Sequence, residues 1–413
     1  MRILLLTLGS FGDINPLVGL GLALEKRGHE AMVIANADSE APVRQAGLAF
    51  TAVSPASAYR DGVDERHARD PEKAPALFFG YCLAIIPEVF SSIKQLYQPG
   101  RTIMAATPQV FAARIAQETL GIPLATLVPN PILFPSVYDA AEPKSTRLES
   151  ALGRWLRRMR FYRLVLKSDR LFAPGINSFR TNLGLNPVRR VWSRWRNSPQ
   201  RAIGLWPEWF YSPKADWPAQ AVVTGFIEYD GTPTTTAADA WEPAIAGGGR
   251  APIVFTSGTA PLDGSDFFPA ACKACEILNW PGVLLTEQEK QLRNPLPRMV
   301  RHVRYAPLAE LLPPAAAIVH HGGIGTAARA LKAGIPQLVR PTGFDQYNNA
   351  SHLARLGVAK SIARREFTPD NVATRLRELL ESQTVRERCC HYATKFEHST
   401  ALESTCDYIE ALM

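Results

Sequence analysis

No apolar run in this chain approaches the roughly 20 residues that cross a membrane as a helix, although 46% of its residues are hydrophobic. Long charge blocks and short internal repeats are missing too, which excludes a solenoid. A G-x-x-x-x-G-K-[ST] loop is absent, so a P-loop NTPase has no motif to rest on. The opening "MRILLLTLGSFGD" carries an early Arg and a short apolar run. It lacks a small-residue cleavage site, and we expect a first β-strand rather than a signal peptide. Cysteine is sparse: six in all. With no signal peptide read, they point to a reducing cytoplasm. Cys272 and Cys275 form C-x-x-C, but within a helical pattern and without a second pair at metal spacing. They are expected as buried thiols, as are Cys389 and Cys390. The formal net charge of +8 suits an anionic ligand, a nucleic acid or a membrane surface, and does not choose among them.

What the chain does have is alternation. Its 413 residues allow two or three domains. A strand over Ile3–Leu8 runs into a Gly-rich turn. A helix is expected from Pro16, where a first turn tolerates proline, with Asn15 as its cap and Gly28 closing it. "EAMVIANA", "TIMAA" and "PLATLVP" read as further strands. "PIVFTS" restarts the pattern, followed by a helix near Phe267–Leu278, then "GVLLT", "VRHVRYAP", "AAIVHH", "PQLVRP" and "AKSIA" as strands, with two helices to finish. Parallel strands joined by helices imply α/β architecture: two doubly wound parallel-sheet, Rossmann-like domains facing across a cleft. The expected division is residues 1–211, a Thr/Pro/Ala/Gly-rich linker at 212–249, a second domain at 250–395, and a C-terminal helix at 396–413 packing back on the first domain.

The densest signal is "IVHHGGIGTAARALKAGIPQLVRP" (Ile318–Pro341). Glycine loses more backbone freedom on folding than any other residue, so Gly322, Gly323 and Gly325 mark a place where the main chain turns sharply or meets a ligand. Ligands of open parallel sheets bind beyond the C-terminal strand ends, where His320 and His321 fall. The helix that follows offers free N–H groups and a positive dipole end, and Thr326 adds a hydroxyl. That combination suits a diphosphate. The spacing is not G-x-G-x-x-G, which leaves a dinucleotide site unsupported. The alternative is a plain βα turn with two incidental histidines.

"YAPLAELLPPAAAIVHHGGIGTAARALKAGIPQLVRPTGFDQYNNA" resembles the donor-binding segment of family-1 glycosyltransferases with the GT-B fold, through H-H-G-G-x-G-T and D-Q-x-x-N-A. "GSFGDINPLVGLGLALEKRGHE" is similar to the opening of the bacterial branch that acts on antibiotics, sterols and rhamnolipids. "LGLNPVRRVW" and "WPEWFYSPKADWPAQAVVTGF" are most similar to the rhamnosyltransferase-like subgroup. The resemblance implies an acceptor-binding first domain and a nucleotide-sugar-binding second domain. It matches His321 to the histidine on the donor diphosphate, and Gly323, Gly325 and Thr326 to the phosphate loop. It also matches Ser257, Gly258 and Thr259 to a second phosphate turn, and Asp345 and Gln346 to the pair that binds sugar hydroxyls. Tyr305 stands where plant members stack a Trp on uracil, so the base stays open between uracil and thymine. Gly325 replaces the Asn of plant members, so their hexose preference does not carry over. Ser257 and Thr259 also fit an ordinary polar turn, and Asp345 also fits a helix cap.

Transfer to a hydroxyl needs a base for the acceptor proton and stabilisation of the leaving diphosphate. Asp13, in the loop Gly9-Ser10-Phe11-Gly12-Asp13, is the candidate base, facing the cleft. Capping the helix at Pro16 is its alternative task, for which Asn15 is better placed. His29 is read as structural. No Asp-x-Asp stands at a strand end of the second half, so transfer is expected without a metal or other cofactor, and one displacement inverts the anomeric carbon. The implied donors are UDP- or dTDP-sugars.

"ALFFGYCLAIIPEVF" and "NPILFPSVYDA" suit a hydrophobic acceptor alcohol or lipid. Arg154–Arg170 holds seven basic residues and one acid, and "RRVWSRWRNSPQR" five and none. Basic residues among Trp dock on anionic headgroups, which raises peripheral contact with the inner membrane face beside a solvated basic surface. No nucleic-acid module accompanies the charge. A nucleotide-sugar epimerase, a silent nucleotide-sugar-binding homologue and an oxidoreductase remain as alternatives.

Overall fold

The computed structural model describes residues 1–9, 11–54, 74–138, 151–231, 250–258, 266–292 and 295–413. Two sheets organise them. The first has seven parallel strands: β1 (Arg2–Leu6), β2 (Glu30–Asn36), β3 (Ala49–Val53), β4 (Thr102–Ala106), β5 (Leu124–Val128), β6 (Arg201–Gly204) and β7 (Ala221–Val223). The second has six: β8 (Ile253–Thr256), β9 (Gly282–Leu285), β10 (Val300–Val303), β11 (Ala317–His320), β12 (Gln337–Val339) and β13 (Ala359–Ser361). Their orders are β3-β2-β1-β4-β5-β6-β7 and β10-β9-β8-β11-β12-β13. Each order reverses once, at β1/β4 and at β8/β11, and a crevice opens at such switch points. The "GSFGD" and "HHGGIGT" segments follow β1 and β11, so both lie at a reversal.

Strands covered on both faces read as unbroken apolar runs. In β1, Leu4 and Leu6 enter one buried cluster with Val89, Phe111 and Ile115. Ile3 and Leu5 enter the opposite one with Leu17, Leu20 and Leu24 of the Phe11–Lys26 helix. The alternation is the period of two expected of a pleated strand.

Four expectations need correction. The first helix begins at Phe11, with Asn15 and Pro16 inside it. The N–H that Pro16 lacks would have bonded the carbonyl of Gly12, which lies in the exposed first turn, so proline is tolerated one turn deeper than expected. Segment 212–249 is not wholly a linker, because β7 pairs with β6 and completes the first sheet. Cys390 is exposed although Cys389 beside it is buried, as adjacent helix positions point 100° apart. Three helices end the chain instead of two: Pro369–Glu381, Gln383–Thr394 and Ala401–Glu410.

The last of these crosses back to the first domain. Cys406 and Ile409 bury against the Phe11–Lys26 helix, Arg27 pairs with Asp407 at 2.6 Å and Glu410 at 2.7 Å, and His29 Nε2 meets Glu410 at 2.8 Å. A second aromatic contact joins the domains directly: Phe210, Tyr211 and Phe226 pack with Leu331, Leu353 and Cys389. The strand-exit segment adds polar ties, with Glu228 and Asp230 on Arg329 at 3.1 and 2.8 Å. Ile409 has no exposed surface, so Ile409→Ala should cost about 2–5 kcal/mol. Cys390→Ser should stay within about 0.5 kcal/mol. Urea unfolding followed by tryptophan fluorescence measures both.

Candidate active site

The first-domain loop is held from beneath by buried amides and hydroxyls. Gln109 Nε2 donates to the Leu8 carbonyl at 3.0 Å and Asn36 Nδ2 to the Gly9 carbonyl at 3.4 Å. Tyr81 in turn donates its hydroxyl hydrogen to Asn36 Oδ1 at 2.7 Å, and Thr107 and Thr7 meet at 3.2 Å. Gly9 has φ +154°, and a Cβ there would lie 2.2 Å from Asp13 Oδ2. The Asp13 carboxylate therefore folds over the Gly9 α-carbon. Asp13 occupies the first turn of its helix instead of the preceding loop, half-buried. Gly12 beside it is exposed. Burial, with the Asp13 charge as a further cause, pushes the Cys82 thiol up, so the Ala74–Ala84 helix abuts this corner. Ser10 lies outside the described residues.

In the second domain the two histidines divide their duties. His320 is fully buried. Its Nδ1 accepts from the Gly322 N–H at 3.1 Å, and its Nε2 faces Gln337 Oε1 at 3.0 Å. Accepting at one nitrogen fixes the proton on the other, and burial lowers the pKa to about 3. Both nitrogens are spent on the fold, so His320 shapes the turn and is withdrawn from the donor-contacting set.

His321 is placed differently. Its ring lies between two glycines: a Cβ on Gly258 would sit 2.5 Å from its Cε1, and one on Gly323 2.6 Å from its Nε2. Gly258 has φ +86°, so the "SGT" turn and the "HHGGIGT" turn are fitted to one imidazole. Burial lowers this pKa to about 4, which leaves a neutral ring with one N–H to donate. Its Nδ1 is buried and has no hydrogen-bond partner among the described residues. Ser257, half-buried, follows the end of β8, and Thr259 lies outside the described residues.

Gly323 is the N-cap of the Ile324–Lys332 helix and has no side chain with which to cap it. The first intrahelical bond is Ala327 N–H to the Gly323 carbonyl, 3.0 Å, which leaves the N–H groups of Ile324, Gly325 and Thr326 pointing out of the helix end. A Cβ on Gly325 would meet no atom of the described residues within 4 Å beyond its chain neighbours and its own helix backbone. Protein packing does not require glycine there; it leaves open space beside three unused donors. Thr326 is half-buried in the same turn.

Asp345 and Gln346 follow β12. Gln346 Oε1 accepts from Thr342 N and Oγ1, both at 2.8 Å, and from Gly343 N at 3.2 Å. Its acceptor is thus used by the turn, and only its NH₂ can serve a ligand. Asn349 Nδ2 donates to the Gly322 carbonyl at 2.9 Å and to Asp345 Oδ2 at 2.7 Å, tying the two loops together. Burial raises the Asp345 pKa. Tyr305 stands apart. Its hydroxyl donates to the Asp230 carbonyl, and its ring remains 37% exposed, enough for a face to receive a base. One contact between the two domains near the site is Phe78 against Phe344, 6.3 Å between ring centres. Asn36, Gln109 and Asn349 were missed from sequence. Only Asn349 left a signal there, as the N of D-Q-x-x-N-A.

Residues 281–400 match the erythromycin biosynthesis protein CIII-like C-terminal domain. The chain is 25% identical over 445 residues to O-mycaminosyltylonolide 6-deoxyallosyltransferase of Streptomyces fradiae, covering 99% of this chain and 97% of that one. The solved glycotransferase of kitacinnamycin superposes with TM-score 0.75 at 19% identity, covering 100% of this chain and 98% of the other. Glycosyltransferase VinC in complex with dTDP superposes with TM-score 0.71 at 20% identity, covering 100% and 99%. Two parallel-sheet domains of seven and six strands, with these structural neighbours, define the GT-B architecture. Within it, the loop and these similarities support a family-1 glycosyltransferase, an enzyme that transfers sugar.

The glycines separate two effects. Gly323→Ala should abolish measurable nucleoside-diphosphate binding, because its methyl displaces the His321 ring. Gly325→Ala should raise the thermal midpoint slightly, since alanine is worth about 0.5–1 kcal/mol over glycine inside a helix, and still weaken nucleotide binding by filling the open space. Calorimetry and a thermal melt on the same samples read both.

Proposed function

We propose that the enzyme transfers a hexose or deoxyhexose from a dTDP- or UDP-sugar to a hydroxyl of a hydrophobic small molecule or lipid, inverting the anomeric carbon and using no metal. The observation that carries this is the uncapped start of the Ile324–Lys332 helix, with open space at Gly325 and the unpartnered, neutral His321 beside it. In this reading the acceptor oxygen attacks the anomeric carbon as its bond to the diphosphate breaks. The acceptor proton passes to the Asp13 carboxylate. The charge that gathers on the departing diphosphate meets the N–H groups of residues 324–326, the helix dipole and the His321 N–H. Asp345 and the Gln346 NH₂ hold sugar hydroxyls, and Tyr305 stacks on the base. The deoxysugar named for the tylonolide relative and the dTDP bound by the VinC structure support dTDP ahead of UDP.

Titration of the purified protein with UDP and dTDP in EDTA, then with magnesium, tests the donor half. Tight binding of dTDP in EDTA is expected, and binding of neither nucleotide sinks the proposal. Asp13→Asn should leave that affinity unchanged while lowering sugar transfer by about 10²–10⁴-fold. A product formed from the donor alone, with its sugar epimerised, would instead identify an epimerase.

We also place the acceptor side at a membrane surface. The helix Ala151–Asn182 leaves Trp155, Met159, Tyr162 and Leu166 exposed at helical spacing, with Arg158, Arg163, Lys167 and Arg170 exposed around them. Apolar and aromatic residues among cations are what an anionic lipid surface takes up. Sedimentation with phosphatidylglycerol vesicles at low salt should carry the protein down, and phosphatidylcholine vesicles should not. Equal indifference to both removes membrane contact.

A further inference from the structure

Phe344 sits at the junction of the donor loop and the acceptor domain in a conformation that its side chain does not favour. Its φ is +50°, in the left-handed region, where a bulky aromatic is an outlier. Such residues persist where the surroundings over-determine them, and they cluster at functional sites. The over-determination is visible: Gln346 Oε1 collects three hydrogen bonds from Thr342 and Gly343 and fixes the turn immediately before Phe344. The ring it presents is 48% exposed, so no core accounts for it. It meets Phe78 of the opposite domain edge to face, 6.3 Å and 89°. From Phe78 the aromatic surface continues into the first domain, through Phe79 at 5.3 Å to Phe172 and Trp192 at 4.9 and 5.0 Å. The next residue after Phe344 is Asp345.

We propose that Phe344, with Phe78, is the acceptor-selecting pair of this enzyme. It forms an apolar wall beside the sugar-binding Asp345 that receives the face of a ring-bearing alcohol or phenol in preference to a linear one. The inference rests on the transferase function proposed above and narrows its acceptor to molecules with a flat, ring-built body next to the reacting hydroxyl. Aromatic edges and faces attract flat π-surfaces beyond simple area burial, which an alkyl chain cannot exploit. Phe344 belongs to the donor domain, so the acceptor site is complete only when the two domains hold their observed approach.

The probes are 2-naphthol, followed by its own fluorescence, and n-octanol as competitor, with the full-length protein saturated in whichever nucleoside diphosphate binds. Wild type should bind 2-naphthol at least about three- to ten-fold more tightly than n-octanol. Phe344→Ala and Phe78→Ala should each weaken naphthol binding by about three- to ten-fold. The double variant should be little worse than either single one, because residues in contact do not act independently. Phe344→Leu, which keeps an apolar side chain, should fall between, and nucleotide affinity should be unchanged in all four variants. Naphthol affinity that survives Phe344→Ala overturns the proposal. So do strictly additive losses, or equal affinity for the two alcohols. Wild-type protein that binds nucleotide but no naphthol overturns this inference alone. Protein that binds no nucleotide overturns the transferase function with it.

Discussion

Gly322 is held through both of its flanking peptides, and the candidate donor loop depends on that grip. Its N–H goes to His320 Nδ1 and its carbonyl to Asn349. Only glycine suits the position, because φ is +98° and a Cβ would lie 2.9 Å from Val339 Cγ1. Fixing these peptides sends His321 into its slot between Gly258 and Gly323, starts the helix at Ile324 without a capping side chain, and ties Asp345 to the same frame through Asn349. A loop that must oppose a diphosphate charge gains from donors fixed before the charge appears, since no reorganisation is then needed during the reaction. The buried hydrogen bonds supply that rigidity at a point where the chain is otherwise mostly glycine.

The first domain reaches the same end by other means. There Asn36 of β2 and Gln109 past the β4 exit hold the Gly9 and Leu8 carbonyls, and Tyr81 of the Ala74–Ala84 helix holds Asn36. The two halves thus hold their candidate site loops by opposite strategies. The donor loop is tied mainly through a local histidine and glycines, and the acceptor loop through residues distant in sequence.

That difference also explains what could be read from the sequence. The parallel character of both sheets follows from apolar runs separated by helical periods, because strands buried on both faces need no alternation, whereas the strand order emerges only from the fold. His321, Gly323 and Gly325 were legible because their cost and their chemistry sit within a few residues. His320 was indistinguishable from His321 by type and by motif, and only burial with both nitrogens engaged separates them. Asn36 and Gln109 left no trace, since their partners lie 27 and 101 positions away and depend on strand packing. Pro16 misplaced the helix start. Its usual position in a first turn is a preference, and a solvent-facing carbonyl at Gly12 removes most of the penalty deeper in.

The return of the Ala401–Glu410 helix carries a topological consequence. Met1 and Leu412 pack against the same buried cluster, so the Arg2–Leu6 strand and the Ala401–Glu410 helix belong to one body. The six-stranded domain is then an insertion, leaving that body after β7 and re-entering it before Ala401. An inserted domain has two junctions and no free end. A module with that connectivity can be exchanged as a cassette at those two junctions without cutting the seven-stranded sheet.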